Sequence, residues 1–348
     1  MDTDKRIVRV PLAAELIHRM DVLVSNRTAG YETRADFIRD AIEALVLELS
    51  YPPAPPERLG PKEEGLVDAH VQHREGAAGP YVESSRDVQV PDMAITRLKA
   101  PQQVSFADQQ GAQVEDDVLF GLHNRDYPSL WVAYNLAHAT VDSLVHAEAF
   151  IEAVVKRAWS FAELIRNLDS TGTMKLTAMF PTNRSKPQSA AQGFRTFAVG
   201  GFSTRDNSLT AWGALFQWNL CQLQRNGQDV LLGLTREGFE LLGALSGISL
   251  DLPHGRRFAE VFFAHLKRYA QADWRALHDI IELVAHGCSR TELIRRLLSE
   301  QPAWTEAQAA THVAGYISRS REWGLVEPKQ IRGNYVLTDF GKELLEEC

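Results

Sequence analysis

The sequence predicts a mainly α protein with a small amount of β structure, in which an N-terminal strand–helix–helix module and a linker precede two similar helical domains. Residues 1–50 combine one alternating apolar stretch with two stretches of helical spacing. Residues 52–113 open with Pro52-Pro53-Ala54-Pro55-Pro56 and stay rich in Pro, Gly, Gln and charge. From Asp117 onward the apolar spacing is helical. We therefore predict four segments: the module at 1–51, a partly disordered linker at 52–114, and domains at 115–250 and 251–348.

The composition is typical of a globular protein with ordinary cores. The 348 residues are enough for two or three domains. No apolar run approaches the ~20 residues that cross a bilayer, and no apolar stretch of signal-peptide length follows the N-terminus. We therefore expect a cytoplasmic protein with no membrane partner. The three cysteines are far apart, which indicates neither a disulfide framework nor a zinc site.

The net charge of −8 argues against a protein that coats nucleic acid without specificity, because such binding needs a broad basic field. A specific DNA-binding protein remains compatible with this charge. Its cations need only be concentrated on one small surface.

The N-terminal module begins with a predicted strand at residues 5–12. Alternation places Val8, Val10 and Leu12 on one face, and Lys5, Ile7, Arg9 and Pro11 on the other. A first helix follows, and Gly30 lies in the loop after it. Thr33 is expected to cap a second helix, with Asp36 in the place of the acidic partner of a capping box. The second helix has a wide apolar face made of Phe37, Ile38, Ala41, Ile42, Leu45, Val46 and Leu49.

A module of this size cannot complete a core by itself. Roughly fifty residues give only a marginal core, and a single strand leaves its backbone donors and acceptors unpaired. Two chains that pair their strands antiparallel would remove both problems. The sequence therefore predicts a homodimer or a higher homo-oligomer.

The order of strand, helix, glycine, cap and helix, with the run Gly30–Ile42, resembles the ribbon-helix-helix family of repressors and antitoxins over Lys5–Leu49. In that family the paired β-ribbon enters the major groove of double-stranded DNA. The resemblance implies base contacts by the outward side chains of the strand and phosphate contacts by nearby cations and by backbone N–H groups at the start of the second helix. These residues are Lys5, Arg6, Ile7, Arg9, Thr33 and Arg34.

One feature departs from that family. Its members often carry polar residues at several outward strand positions, whereas Ile7 and Pro11 are apolar here. A strand that only dimerises is therefore an open alternative to one that contacts bases.

The C-terminal two-thirds contains an internal similarity. Phe161–Leu168 resembles Arg290–Leu297, and Leu234-Thr235-Arg236-Glu237-Gly238 resembles Leu337-Thr338-Asp339-Phe340-Gly341. Both pairs occur in the same order along the chain. We therefore predict two divergent copies of one unit.

The second copy has the order of a three-helix unit followed by a hairpin. An amphipathic helix is predicted at Trp274–Ala285, Ser289 and Thr305 are expected to cap two further helices, and Lys329–Gly333 forms a basic hairpin tip. This order resembles the winged helix-turn-helix family. The resemblance implies DNA contacts along the third helix and at the hairpin tip. The residues at these positions are His312, Arg319, Arg321, Lys329 and Arg332.

The first copy, Asp126–Leu242, is less basic at the corresponding hairpin, Gln222–Asp229. We expect it to serve packing or partner binding. Asp126 is expected to cap a helix whose first turn contains Pro128. The central aromatic residues are expected to fill the core, with an effector pocket as the alternative: Trp131, Tyr134, Trp159, Trp212 and Trp218.

The sequence contains no recognisable catalytic motif. Phosphate-binding loops, dinucleotide glycine fingerprints, His-Glu-x-x-His helices and Gly-x-Ser-x-Gly turns do not occur. His138, Asp142 and His146 are spaced by four on a predicted helix and offer ligands of a kind that zinc accepts, but polar surface explains them more simply. We predict that the protein is not an enzyme and has no catalytic residues, cofactor or metal.

Together these patterns predict a dimeric, site-specific DNA-binding transcriptional regulator that acts as a repressor. Its expected partners are double-stranded DNA, a second copy of the chain and, in an antitoxin-like or defence-linked role, a protein. The alternative is a structural adaptor that uses the ribbon for dimerisation and the winged-helix units for protein partners.

Overall fold

The computed structural model describes residues 97–107, 111–116, 118–119, 125–168, 179–205 and 208–346, together with Ile17 and Asp21. The chain divides into two compact units, Met1–Pro91 and Asp92–Cys348. Apart from Ile17 and Asp21, the predicted ribbon-helix-helix module lies outside the described residues, as do residues 52–96 and 108–110 of the predicted linker. No helix in the described part of the chain has the length and apolar composition needed to cross a membrane.

The described chain is mainly helical with small sheets. The first half, residues 115–250 with the short strand just before it, contains these elements: β1 Gln113–Val114, α1 Tyr127–Ala139, β2 Val145–His146, α2 Ala147–Leu168, α3 Pro187–Phe194, β3 Gly201–Arg205, β4 Ser208–Trp212, α4 Ala214–Gln217, β5 Cys221–Asn226, β6 Asp229–Leu234 and α5 Arg236–Ala244. Helix α3 continues as a π-helical turn at Arg195–Val199.

The second half, residues 251–346, contains five helices in its described elements: α6 Arg256–Tyr269, α7 Gln271–Val284, α8 Arg290–Glu300, α9 Glu306–Glu322 and α10 Asp339–Glu346. A short hairpin, called the C-terminal hairpin below, connects α9 to α10. Val326 pairs with Leu337 at its base, and Ile331 pairs with Asn334 near its tip.

The predicted helix starts of the second half are confirmed. Ser289 accepts from the N–H of Glu292 and forms a complete capping box with it, which starts α8. Thr305 forms the same motif with Gln308 at the start of α9. The amphipathic helix predicted at Trp274–Ala285 corresponds to α7, where the apolar residues of one face are fully buried: Leu277, Ile280, Ile281 and Val284.

The strands form two three-stranded sheets. In the first sheet the order is β1–β4–β3, with β4 parallel to β1 and antiparallel to β3. In the second sheet the order is β2–β6–β5, and both pairs are antiparallel. The helical spacing predicted after Asp117 does not extend through the first half, where strands occupy most of the chain from Gly201 to Leu234. The β5–β6 hairpin lies at the predicted hairpin position, Gln222–Asp229.

The predicted Leu-Thr-x-x-Gly similarity corresponds to a shared local structure. Thr235 Oγ1 donates to the carbonyl of Asn219 at 2.6 Å and accepts from the N–H of Gly238 at 2.9 Å. Thr338 makes the equivalent two bonds in the second half, at 2.6 Å and 3.0 Å. In each half this threonine links the start of a helix to the base of the preceding hairpin.

Strand pairing gives the register between the halves. Val145 pairs with Leu232 and Cys288 pairs with Tyr335, and each partner lies three positions before the shared threonine of its half. Val145 also lies two residues before α2, as Cys288 does before α8. The start of α2 therefore corresponds to the start of α8. The predicted similarity between Phe161–Leu168 and Arg290–Leu297 does not follow this register, because Phe161 lies deep inside α2.

One continuous hydrophobic core extends through both halves, so that the described parts of 115–250 and 251–348 pack as one body. Trp131 and Trp218 are buried in it, as predicted. Trp323 stacks on Phe262 with ring centroids 4.6 Å apart. Trp212 does not belong to this core, because 51% of it is exposed.

Candidate functional site

The structure places two of the predicted DNA contacts in the interior. Arg319 is fully buried, and His312 is 3% exposed. Burial lowers the pKa of His312 to about 4, so the imidazole is neutral at physiological pH. In this conformation neither of these two side chains of α9 is accessible to a DNA duplex.

The other predicted contacts of the second half remain at the surface. Lys329 and Arg332 are exposed at the tip of the C-terminal hairpin. Arg321 is half-buried, where its Nε donates to the carbonyl of Glu327 at 3.0 Å and its guanidinium lies 5.3 Å from the ring of Tyr335. The hairpin tip is thus the accessible cationic part of the predicted contact surface. The N-terminal contacts lie outside the described residues: Lys5, Arg6, Ile7, Arg9, Thr33 and Arg34.

Arg319 joins the two halves through a pair of carboxylates. Its Nε donates to Asp126 Oδ1 at 2.6 Å. Its Nη1 and Nη2 donate to the two oxygens of Asp273, each at 2.7 Å. All three side chains are fully buried. Since Asp126 precedes α1 and Asp273 lies in the first turn of α7, one guanidinium connects the start of α1 in the first half to the start of α7 in the second.

Two tryptophans make reciprocal bonds between the halves. Trp218 of the first half donates from its indole N–H to Asp273 of the second half at 2.9 Å. Trp323 of the second half donates to Asp126 of the first half at 2.7 Å. The two tryptophans occupy matching positions, seventeen and fifteen residues before the shared threonines in sequence. In each half, therefore, a tryptophan donates a hydrogen bond to a buried carboxylate of the other half.

Glu322 completes this buried polar cluster. It accepts from the backbone N–H groups of Asp126 at 2.6 Å and Tyr127 at 2.9 Å, and so caps the start of α1. His254 Nε2 lies 3.1 Å from the same carboxylate. Asp126 does not cap this helix through its side chain, contrary to prediction, because its carboxylate is bound by Arg319 and Trp323 instead.

The buried charges perturb one another. Burial raises the pKa of Asp126 to about 7, and the nearby carboxylates of Glu322 and Asp273 add to the rise while Arg319 opposes it. Burial would also raise the pKa of Asp273, but Arg319 and the hydrogen bonds from Tyr316 and Trp218 hold that pKa below its ordinary value. Arg319 therefore remains a cation, and its charge is neutralised chiefly by Asp273.

The cluster fixes α9 in place. Only the first residue of α9, Glu306, is exposed, and the remaining residues are buried or half-buried. The half-buried residues lie along one side of the helix, so the packing leaves α9 a narrow, half-covered face that runs from Ala307 to Arg321. The cluster has no open side in the described residues, so its chemistry is that of a structural link rather than of a substrate site.

Three members of this cluster, Asp273, Glu322 and His254, are not predicted from the sequence. Two others are predicted in other roles, Asp126 as a helix cap and Arg319 as a DNA contact. One signal was available: the repeat extends upstream from the threonines to Trp218-Asn219-Leu220 and Trp323-Gly324-Leu325. Two tryptophans at matching positions in a duplicated unit indicate matching partners.

The alternative metal site is not formed. α1 ends at Ala139 and His146 lies in β2, so His138, Asp142 and His146 do not share a helix face. Among the described residues, His278, Asp279 and Glu282 are the group whose ligand atoms lie close enough to share an ion. They lie on one turn of α7, two of them exposed, and nothing else in the described structure points to a cation there.

Comparisons of the chain with protein-family models, with curated proteins and with solved structures gave no match. The function must therefore be inferred from the residues and their arrangement.

Proposed function

We propose that the protein is a dimeric, site-specific DNA-binding transcriptional regulator, acting as a repressor, in which the N-terminal module makes the base contacts. The observation that carries this division of labour is the burial of Arg319 and His312, two of the three predicted DNA contacts on α9; the third, Arg321, is half-buried. Because α9 keeps only a narrow, half-covered face, base recognition falls to the ribbon predicted at residues 5–12.

We further propose that both halves of the C-terminal body are winged-helix units. The second half supports this with three helices, a short strand at Cys288 that pairs with the C-terminal hairpin, and a final helix. The first half supports it with β2 pairing to the β5–β6 hairpin and with α5 following it. Here the two units pack against each other, much as the subunits of a dimer do.

In this proposal the C-terminal body contributes to DNA binding only through phosphates. Lys329 and Arg332 are exposed at a hairpin tip, where a wing contacts the backbone of the duplex. Their contribution should be electrostatic and independent of base sequence.

The test is footprinting of the full-length protein on the DNA upstream of its own gene. We expect protection of a repeated site by the wild type, lost in Arg9→Ala while the dimer persists. Lys329→Ala/Arg332→Ala should keep the same site but lower the slope of log affinity against log salt by roughly 0.9 for each phosphate contact removed. A protected site that is unchanged in Arg9→Ala would contradict the assignment of base contacts to the ribbon.

The burial of α9 also favours a second candidate, a structural adaptor that dimerises through the ribbon and presents the C-terminal body to a protein. The same experiment separates the two. Absence of any protected site at low salt, with the dimer still present in solution, would support the adaptor.

A further inference from the structure

The outer face of the β1–β4–β3 sheet has an unusual composition. The antiparallel pairs Gly201–Trp212, Ser203–Thr210 and Arg205–Ser208 alternate with buried Leu209 and Ala211, and so they share the outward side of the sheet. Gln113 of β1 lies beside Thr210 and adds an amide to this side. We call this set the outer sheet face: Gln113, Gly201, Ser203, Arg205, Ser208, Thr210 and Trp212.

Trp212 forms a flat aromatic surface that is held against the sheet. A Cβ atom placed on Gly201 would lie 2.8 Å from Cζ2 and 3.0 Å from Cε2 of the indole. The indole therefore rests directly on the glycine of the neighbouring strand, where any larger residue would displace it. Because 51% of Trp212 is exposed, it remains accessible to a planar ligand while its underside is supported.

Hydroxyl groups and cations accompany this aromatic surface. Ser203 Oγ and Thr210 Oγ1 lie 2.8 Å apart in the middle of the face. Arg205 is exposed at its far end, and Arg225 reaches the same end from β5, where its Nη2 donates to the carbonyl of Ser208 at 3.1 Å. None of the seven residues of the outer sheet face is acidic, in a protein with a net charge of −8. The face is thus suited to an anionic partner.

The sheet has no counterpart in the second half. In the second half, the residue four positions before Trp323 is Arg319, which lies within the long helix α9. In the first half, the residue four positions before Trp218 is Ala214, which begins the four-residue helix α4. The β3–β4 hairpin lies immediately before α4. The unit common to both halves therefore forms without the β3–β4 hairpin. The packing of that unit does not explain why this hairpin carries the exposed Trp212.

We propose that the outer sheet face binds single-stranded nucleic acid. A base stacks on the indole of Trp212. Of the Ser203–Thr210 pair, the hydroxyl that accepts within the pair donates its own proton to the nucleic acid, and the guanidinium groups of Arg205 and Arg225 pair with phosphates. Trp212 and Ser208 are four residues apart on β4, about 14 Å, so a short stretch of nucleic acid can contact both ends of the face. Stacking accepts any base, so the binding should show little sequence preference. This inference does not depend on the N-terminal module.

The test is the fluorescence anisotropy of a labelled oligothymidine of ~20 nucleotides with the full-length protein, since oligothymidine forms no duplex. We expect Trp212→Ala to weaken binding about 5- to 150-fold, the range that loss of one stacked base produces, and Trp212→Phe to weaken it less. Arg205→Ala/Arg225→Ala should lower the salt slope by about 1.4, roughly 0.7 for each phosphate.

Two variants serve as controls. Val141 is an apolar residue that is 43% exposed on another part of the body, so Val141→Ala should leave the affinity unchanged. Arg9→Ala removes the predicted duplex contact and should also leave binding of oligothymidine unchanged. A fall in affinity with Arg9→Ala but not with Trp212→Ala would place single-strand binding in the N-terminal module and overturn the proposal. The proposal would also be overturned if the wild type did not bind oligothymidine, or if the outer sheet face instead bound an extended peptide along β3.

Discussion

The two halves of the C-terminal body share a backbone frame but differ in the charge that is built into it. In each half a tryptophan is followed by a residue of positive φ, Asn219 at 52° and Gly324 at 74°, and then by a hairpin tied down by a threonine. Each tryptophan donates to a buried aspartate of the other half. The second half alone adds Arg319, where the first half has Ala214. The backbone frame that the two halves share therefore depends on packing and backbone hydrogen bonds. The charged link, Arg319, is contributed by the second half alone.

The largest effect that would break this comparison is the loss of the charged link. Arg319→Ala leaves Asp126 and Asp273 buried without their cation, so we expect a loss of about 3–5 kcal/mol in the free energy of unfolding. Denaturant unfolding at neutral pH measures it. The exposed Arg295 on α8 gives a matched control, since Arg295→Ala should change stability by no more than about 0.5 kcal/mol.

A rescue variant sharpens this prediction. In Arg319→Met/Asp126→Asn/Asp273→Asn both buried charges are removed together with the cation, and part of the lost stability should return. If the triple variant were less stable than Arg319→Ala, the cost would come from lost packing or hydrogen bonds rather than from unpaired charge.

The tryptophan bonds offer a second comparison. Trp323→Phe and Trp218→Phe each remove one indole N–H from a buried carboxylate and should each cost about 1–3 kcal/mol. Trp323→Phe should cost more, because Arg319 donates one N–H to Asp126 but two to Asp273, and the hydroxyl of Tyr316 also donates to Asp273. Thermal unfolding of the two variants side by side measures the difference. A larger loss for Trp218→Phe would mean that ring packing, not the hydrogen bond, sets the cost.

Local features of this fold were predictable from sequence, and features that depend on long-range packing were not. The capping boxes at Ser289 and Thr305 need only residues three positions apart, and the shared threonine turns need only a short motif. The bond from Arg319 to Asp126 joins residues 193 positions apart. No periodicity within α9 shows that Arg319 points inward, because the carboxylates that neutralise it, Asp126 and Asp273, lie on other elements far along the chain.

Trp212 illustrates a second limit of the same kind. Its size favours burial, and no pattern in the sequence indicates that it pairs with Gly201 across a hairpin. Once that pairing exists, strand alternation puts the indole on the outward side, opposite Leu209 and Ala211. The exposure of this residue is thus a consequence of strand register, and register depends on the pairing partner.

The glycines of the shared turn should have effects no larger than those of the tryptophans. A Cβ atom on Gly238 would lie 2.1 Å from the carbonyl oxygen of Leu220, and one on Gly341 would lie 2.2 Å from that of Leu325. Both contacts are with backbone, which cannot move aside freely, so each glycine-to-alanine change should cost about 1–3 kcal/mol. Equal losses in the two halves are expected because the two turns have the same geometry.

Gly243 on α5 provides the opposite expectation within the same helix as Gly238. A Cβ atom there meets nothing within 4 Å, and the position is helical. Gly243→Ala should therefore stabilise the protein by about 0.5–1 kcal/mol, since alanine restricts the unfolded chain and favours the helix. Denaturant unfolding of the three variants tests whether the turn, rather than the helix, requires glycine. A loss of stability with Gly243→Ala would mean that α5 requires glycine for a reason outside the shared turn, and would leave Gly238→Ala without its control.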